Sequence, residues 1–164
     1  LHKGRAVRSC HTCVKGIVML IQIALGIFAA SFLEWFVHKY FLHVLGRKKA
    51  SLFSFHWGKH HVVARRNNFL DPLVSAREGF GIFFLCVVFS PLILLLPCVY
   101  GTMFVHAMLY FVLHNTAHKY PKFAKKYMPW HYDHHMGKNQ NMNWCVVHPL
   151  ADYIMGTRKK YEYK

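Results

Sequence analysis

Apolar blocks alternate with basic, histidine-bearing segments along this chain, and the blocks have the lengths of membrane helices. From Gly16 to Leu33 there is no charge, and only Gln22 and Ser31 interrupt the apolar run as polar residues. These residues lie near the lower limit for crossing a bilayer as a helix. The helical pattern runs on through Glu34 into His38 without a convincing cleavage site, which favours a span over a signal peptide. From Phe80 to Leu113, 34 residues pass without a lysine, arginine or carboxylate. As one helix they would run about 51 Å, against a hydrocarbon core of about 30 Å. Pro91, Pro97 and Gly101 sit in the middle, so the block predicts two helices joined near Pro97.

The remaining elements follow from punctuation and polarity. Asp71-Pro72 is a helix start, with Asp as N-cap and Pro at the first helical position. Phe53 to Asn68 is too polar for hydrocarbon and reads as a helix lying at the membrane surface, and Pro121 helps to end the returning span. The expectation is an all-α membrane protein with a single domain over 1–164. A basic segment at 1–15 precedes an apolar N-terminal span at about 16–37, and a two-span helical hairpin follows at about 73–96 and 98–118. The rest forms a histidine-rich helical cap at the interface or in the cytoplasm.

Composition agrees with a membrane protein. Hydrophobic residues make up 54% of the chain and charged ones 16%, low in charge for a soluble globule. Lysine and arginine total 21 against six acids, a formal charge of +15. These cations flank the apolar blocks, where anionic headgroups attract them, so nucleic acid is the weaker reading. The loop from His38 through Gly79 carries eight of them, the segment after Leu113 nine and the N-terminal piece four. The positive-inside rule therefore puts the two richer segments in the cytoplasm. A missing upstream helix, or a first helix that does not fully cross, would reconcile the N-terminal four with that placement. The five cysteines are dispersed and give no disulfide framework, and Cys10-x2-Cys13 lacks a second pair to complete a zinc site.

Histidine changes the picture most. His131, His134 and His135 stand at i, i+3 and i+4 and share one face of a helix. Three further clusters are His38-x4-His43, His56-x3-His60-His61 and His114-x3-His118. Neutral imidazole binds first-row transition metals, and ten such rings are a natural share for two ions. Two clusters precede the hairpin and two follow it, so a span out and a span back bring all ten to one side of the membrane. On an ideal helix His38 and His43 are about 140° apart, so they grip different metals or the helix bends there.

Other polar residues have two readings each. Glu34, one turn before His38, is either a hydrogen-bond acceptor for that ring's second nitrogen or an interfacial charge. His106, inside the returning span, reads as a packed, hydrogen-bonded histidine facing the bundle. Asp133 points away from its three histidines on a regular helix, and either holds a histidine of another cluster or is solvated. Asn115 and Asn143 are candidates to bond a metal-bound water, or else caps and turns. His2 and His11 read as solvated. Phe80, Phe83, Phe84, Phe104 and Phe111 are candidates to line an approach from the bilayer.

The four clusters, from Glu34 to Thr157, resemble the histidine boxes of the fatty acid hydroxylase and sterol desaturase superfamily of integral-membrane di-iron enzymes. Pro149-Leu150-x-Asp152-Tyr153-x-x-Gly156-Thr157 is similar to that family's closing signature. His56-x3-His60-His61 departs from the usual HxxHH by one extra residue, which leaves His56 less secure as a ligand than His60 and His61. The resemblance implies that the ten histidines hold two iron ions, with dioxygen as co-substrate and a bilayer lipid as substrate. It also implies an external electron donor, a small haem or iron–sulfur carrier with its reductase. His148 and Asp152, in the closing signature, are then candidates to support the ligands, though a purely structural role is favoured for His148. Zinc fits the same donors and is expected to compete in purified protein.

The expected activity is therefore hydroxylation or desaturation of a fatty acyl or sterol-like lipid. A carotenoid ring hydroxylase is second, because such enzymes space the histidines of their third box one residue further apart than His114 and His118. A histidine-rich membrane metal-binding protein or transporter without redox chemistry is the alternative of another class. A transporter would carry polar ligands near the midplane of its spans, and here the clusters lie at or beyond the span ends.

Overall fold

The computed structural model describes residues 2–71 and 76–163, with side chains from Val14 onward. The Pro72 helix start and the side chains of His2, Cys10, His11 and Cys13 lie outside the described residues. Every regular element among those described is helical. The first helix, α1, runs over His2–Phe36 and continues without a break as a π-helix, π1, over Val37–Leu45. A second π-helix, π2 (His56–His61), leads into the short α2 (Val62–Arg66). The hairpin follows as α3 (Ala76–Phe89), α4 (Leu92–Leu95) and α5 (Pro97–Lys119). Three short helices close the cap: α6 (Pro121–Tyr127), α7 (Pro129–Met136) and α8 (Leu150–Ile154).

Among the described residues, two stretches are long and apolar enough to cross a membrane, Val14–Leu45 and Pro97–Lys119. The hairpin turns where the sequence predicts, with Leu96 in non-helical backbone (φ -140°, ψ 66°) and Pro97 opening α5. Its outgoing arm is less regular than a single span. Pro91 divides α3 from α4, and the 14 residues of α3 rise only about 21 Å.

The two long helices form the scaffold. α1 packs along α5, and α3 leans on α5 from another side. Gly26 permits the close approach, since a Cβ there would stand 2.7 Å from Thr102 Cβ. Gln22 ties the two helices together, because its Oε1 accepts the amide of Cys98, one of the first-turn donors of α5 that lack an intrahelical partner. Most apolar side chains on these helices face outward, with Leu20, Phe80 and Leu94 more than half exposed, as lipid-facing residues are. The packed interior lies instead in the cap. One cluster joins Phe69, Ala117, Ala124, Met128 and Val146, and another joins Trp35, Trp144, Cys145 and Ala151.

Candidate metal centre

All ten predicted histidines meet in the cap. Nine are buried, and His60 is 14% exposed at its side chain. They sort into two groups whose ring nitrogens lie within 4.8 Å of one another: His38, His43, His56, His61 and His134 in one, and His60, His114, His118 and His135 in the other. His131 joins the second group, with its Nε2 3.0 Å from that of His118. The groups touch where His61 stacks on His135 at 4.1 Å.

The π-helices explain how spacing becomes geometry. In an α-helix residues five apart diverge, but the i→i+5 ladder of a π-helix returns them to one face. Gly46 N donates to Phe41 O in this pattern at the end of π1. His38 and His43 consequently lie 5.1 Å apart, and His56 and His61 4.9 Å apart on π2. The extra residue in the second box is thus accommodated by the wider turn, and His56 is brought in with Nε2 3.0 Å from that of His38. His43 Nε2 stands 3.0 Å from His61 Nε2 and 3.1 Å from His134 Nε2. Two imidazoles on one first-row metal, each about 2.1 Å from it, stand about 3 Å apart when adjacent, so these separations suit a shared ion.

Behind several of the rings the opposite nitrogen is anchored, while Nδ1 of His43, His131 and His135 finds no hydrogen-bond partner among the described residues. Nδ1 of His134 meets the Met142 carbonyl at 2.7 Å, that of His118 meets the Phe69 carbonyl at 2.9 Å, and that of His38 meets the Trp144 carbonyl. For His60 and His114 in the second group carboxylates serve: Asp71 Oδ2 lies 2.8 Å from His60 Nδ1, and Glu78 Oε1 lies 2.8 Å from His114 Nδ1. A proton held at Nδ1 leaves the Nε2 lone pair free to face a metal. Nε2 of His60, His114 and His135 is buried without a hydrogen-bond partner among the described residues, as a ligand atom would be. Burial also holds the imidazoles neutral, the form that ligates. It pushes His56, His61, His131 and His135 well below the usual histidine range and His134 to about 3, with neighbouring imidazoles adding repulsion. The donor set therefore fits two first-row metal ions.

Several supporting residues differ from expectation. Glu34 does not reach His38; its Oε2 lies 2.8 Å from His106 Nε2, and its Oε1 accepts the amides of Val146 and Val147. His106 is thus the packed, hydrogen-bonded residue expected of it. Asp133 is neither solvated nor on a histidine: it is buried against Arg158 Nη1 and Tyr163 OH, both at 2.9 Å. Asn143, at φ 60°, binds the backbone of Lys159 through both ends of its amide, and Asn115 donates to Phe111 O. His148 is exposed. Asp152 acts at one remove, because its carboxylate accepts the amides of Trp144 and Cys145 and so fixes the loop whose carbonyl meets His38. Asp71, Glu78 and Gln140 were not legible as site residues. The Gln140 amide donates to the His135 carbonyl and lies 3.0 Å from His61 Nδ1.

An apolar cleft of about 1050 Å³ runs between α1, α3 and α5 to the centre. Phe80, Phe84 and Phe104 line it as expected, while Phe83 and Phe111 do not. At its inner end stand His38, His56, Glu78 and Tyr110.

A profile of the Fatty acid hydroxylase family matches residues 23–157. The chain belongs to this family. Neither a curated protein nor a solved structure matches it. The matched stretch of this fatty acid hydroxylase family member contains all four histidine clusters, both π-helices and the hairpin.

Proposed function

We propose that this chain is a membrane-bound, non-haem di-iron oxidoreductase. In this reading it uses dioxygen and electrons from an external carrier to hydroxylate or desaturate a C–H bond of a fatty acyl or sterol-like lipid. One observation carries the reading: a cleft with aromatic and aliphatic walls, open among lipid-facing helices, ends on His38 and His56 of the first group, beside Glu78 and Tyr110, which contact His114 of the second. A long apolar molecule entering from the bilayer would present one carbon to the histidine centre without crossing water.

Iron bound there supplies the activation of dioxygen and the oxidation of the C–H bond. The chain's own part is to hold and shield. The first group would hold one ion through His38, His43, His56, His61 and His134, and the second would hold the other through His60, His114, His118, His131 and His135. Asp71 and Glu78 keep a proton at Nδ1 of His60 and His114, and the aromatic walls of the cleft exclude water. The surplus of lysine and arginine on the histidine side supports a cytoplasmic centre.

Lipid profiling of cells with and without the gene, under labelled dioxygen, tests the proposal. Label in a lipid hydroxyl identifies hydroxylation and the substrate, and a new double bond without label identifies desaturation. An unchanged lipid profile, or purified protein that takes up no more than one metal per chain after iron loading, would sink it.

A further inference from the structure

The six carboxylates of this chain are almost all turned inward. Glu34, Asp71, Glu78 and Asp133 face His106, His60, His114 and Arg158, and Asp152 is buried on backbone amides. Glu162 alone among the six is exposed. The cations lie outside. Between Glu34 and Asp71 the sequence holds no carboxylate, and Arg47, Lys48, Lys49, Lys59, Arg65 and Arg66 are all exposed. The surface over this part of the cap therefore carries one sign of charge.

Within that surface one aromatic residue leads inward. Trp57 is half-buried, stacks on His61 at 5.3 Å with the planes 30° apart and stands edge-on to His43 at 5.0 Å. The Arg47 guanidinium sits 4.5 Å from its ring centroid. Both imidazoles belong to the first group, with His38, His56 and His134. Trp144, the other indole beside that group, is buried. Phe55 and Tyr110, which pack on His56 and His114, line the cleft, and Trp57 does not. The centre thus has an apolar approach on one side and a basic one, through Trp57, on another.

We infer that the Arg47–Trp57 face is the docking site of an acidic one-electron carrier protein, with Trp57 as the path to the His43–His61 side of the centre. This rests on the proposed function, which needs electrons from outside. For hydroxylation, R–H, O₂, two electrons and two solvent protons give R–OH and H₂O, and two reduced carriers are each oxidised by one electron. Electron transfer falls steeply with distance, so a carrier must sit where the covering is thinnest. Opposite charge steers it there in a small, transient interface.

The test uses the full chain, iron-loaded in nanodiscs, with two acidic probes: a reduced plant-type [2Fe–2S] ferredoxin and a soluble acidic b-type haem domain. Carrier reoxidation is followed by stopped flow, and product yield from dithionite and dioxygen is measured in parallel. At least one carrier should be reoxidised at a rate that falls as salt is raised. Arg47→Glu and Trp57→Leu should slow that step about tenfold or more, the scale of a steering loss. Trp57→Phe, which keeps a ring on His61, should retain most of the rate. In Arg47→Glu, metal content and dithionite-driven yield should match the parent. Wild-type reoxidation rates in both variants, or a wild-type chain that reoxidises neither carrier, would overturn the docking site. So would an Arg47→Glu variant that changed only binding to anionic vesicles. If carriers still gave up electrons while dithionite yielded no lipid product, the lipid-oxidation reading would fall and the docking site would stand.

Discussion

Glu34 and His106 face each other across the α1–α5 interface at 2.8 Å, and the free oxygen of Glu34 holds the amides of Val146 and Val147. One carboxylate in a span thus fastens the loop that supplies the Trp144 carbonyl to His38. Glu34→Leu leaves those amides and His106 without their acceptor, at a cost of about 2–5 kcal/mol. It should lower the melting temperature and weaken metal binding at the His38 group. Glu34→Gln keeps an acceptor oxygen and should lie between. Thermal unfolding and metal titration of the two variants decide the matter, and unchanged behaviour of Glu34→Leu would refute it.

Carboxylates stand behind two histidines of the second group, His60 and His114, whereas backbone carbonyls serve His38 and His134 in the first group and His118 in the second. Asp71→Asn and Glu78→Gln should each weaken metal binding about 10–100-fold, the usual effect of losing such a support. The loss should fall on one ion of the two. Titration with a chelator would then show one tight and one weakened metal per chain, whereas equal weakening of both would contradict the division into groups.

Gly81 lies on the cleft wall, and a Cβ built there meets nothing within 4 Å among the described residues. Gly81→Trp can therefore fill the cleft without moving the backbone. It should raise KM for long substrates about tenfold or more, an obstruction on the scale of 1–3 kcal/mol, and spare shorter ones. Metal content should not change. A chain-length profile identical to the parent's would mean that the substrate takes another route.

Acid should destabilise the cap in a defined window. Burial depresses the folded-state pKa of His134 from 6.5 to about 3, and those of His61, His131 and His135 in the same direction. Between those limits the unfolded chain binds protons that the folded chain excludes, so stability falls as pH drops below about 6.5 and is unaffected by these groups above it. Each such imidazole contributes a slope of up to about 1.4 kcal/mol per pH unit. Melting temperatures of the metal-free protein from pH 8 to pH 5 check this; a curve that stays flat below 6.5 would contradict it.

Much of this centre could be read in the sequence because histidine spacing and span length carry strong geometric content. The join near Pro97 and the meeting of all ten histidines needed only a hairpin. The π-helices were harder. A spacing of five misaligns rings on an α-helix, yet the same spacing recurs in His38/His43 and His56/His61, and that repetition was the available signal. Asp71 and Glu78 were missed because each serves a histidine distant in sequence or on another element. Helical proximity leaves Glu34 either an acceptor for His38 or an interfacial charge, and packing of α1 on α5 gives it His106 and two loop amides instead.

The division of the boxes between the groups has a consequence for assembly. π2 gives His56 and His61 to one group and His60 to the other, and α7 gives His134 to one and His131 and His135 to the other. Whichever ion arrives first must therefore immobilise helices that the second also uses. The ordering entropy of π2 and α7 is met once, by the first ion, so the second should bind a scaffold already rigid and loading should be cooperative. In the parent chain half-loaded protein would then be scarce, and the centre would pass from empty to full largely as a unit.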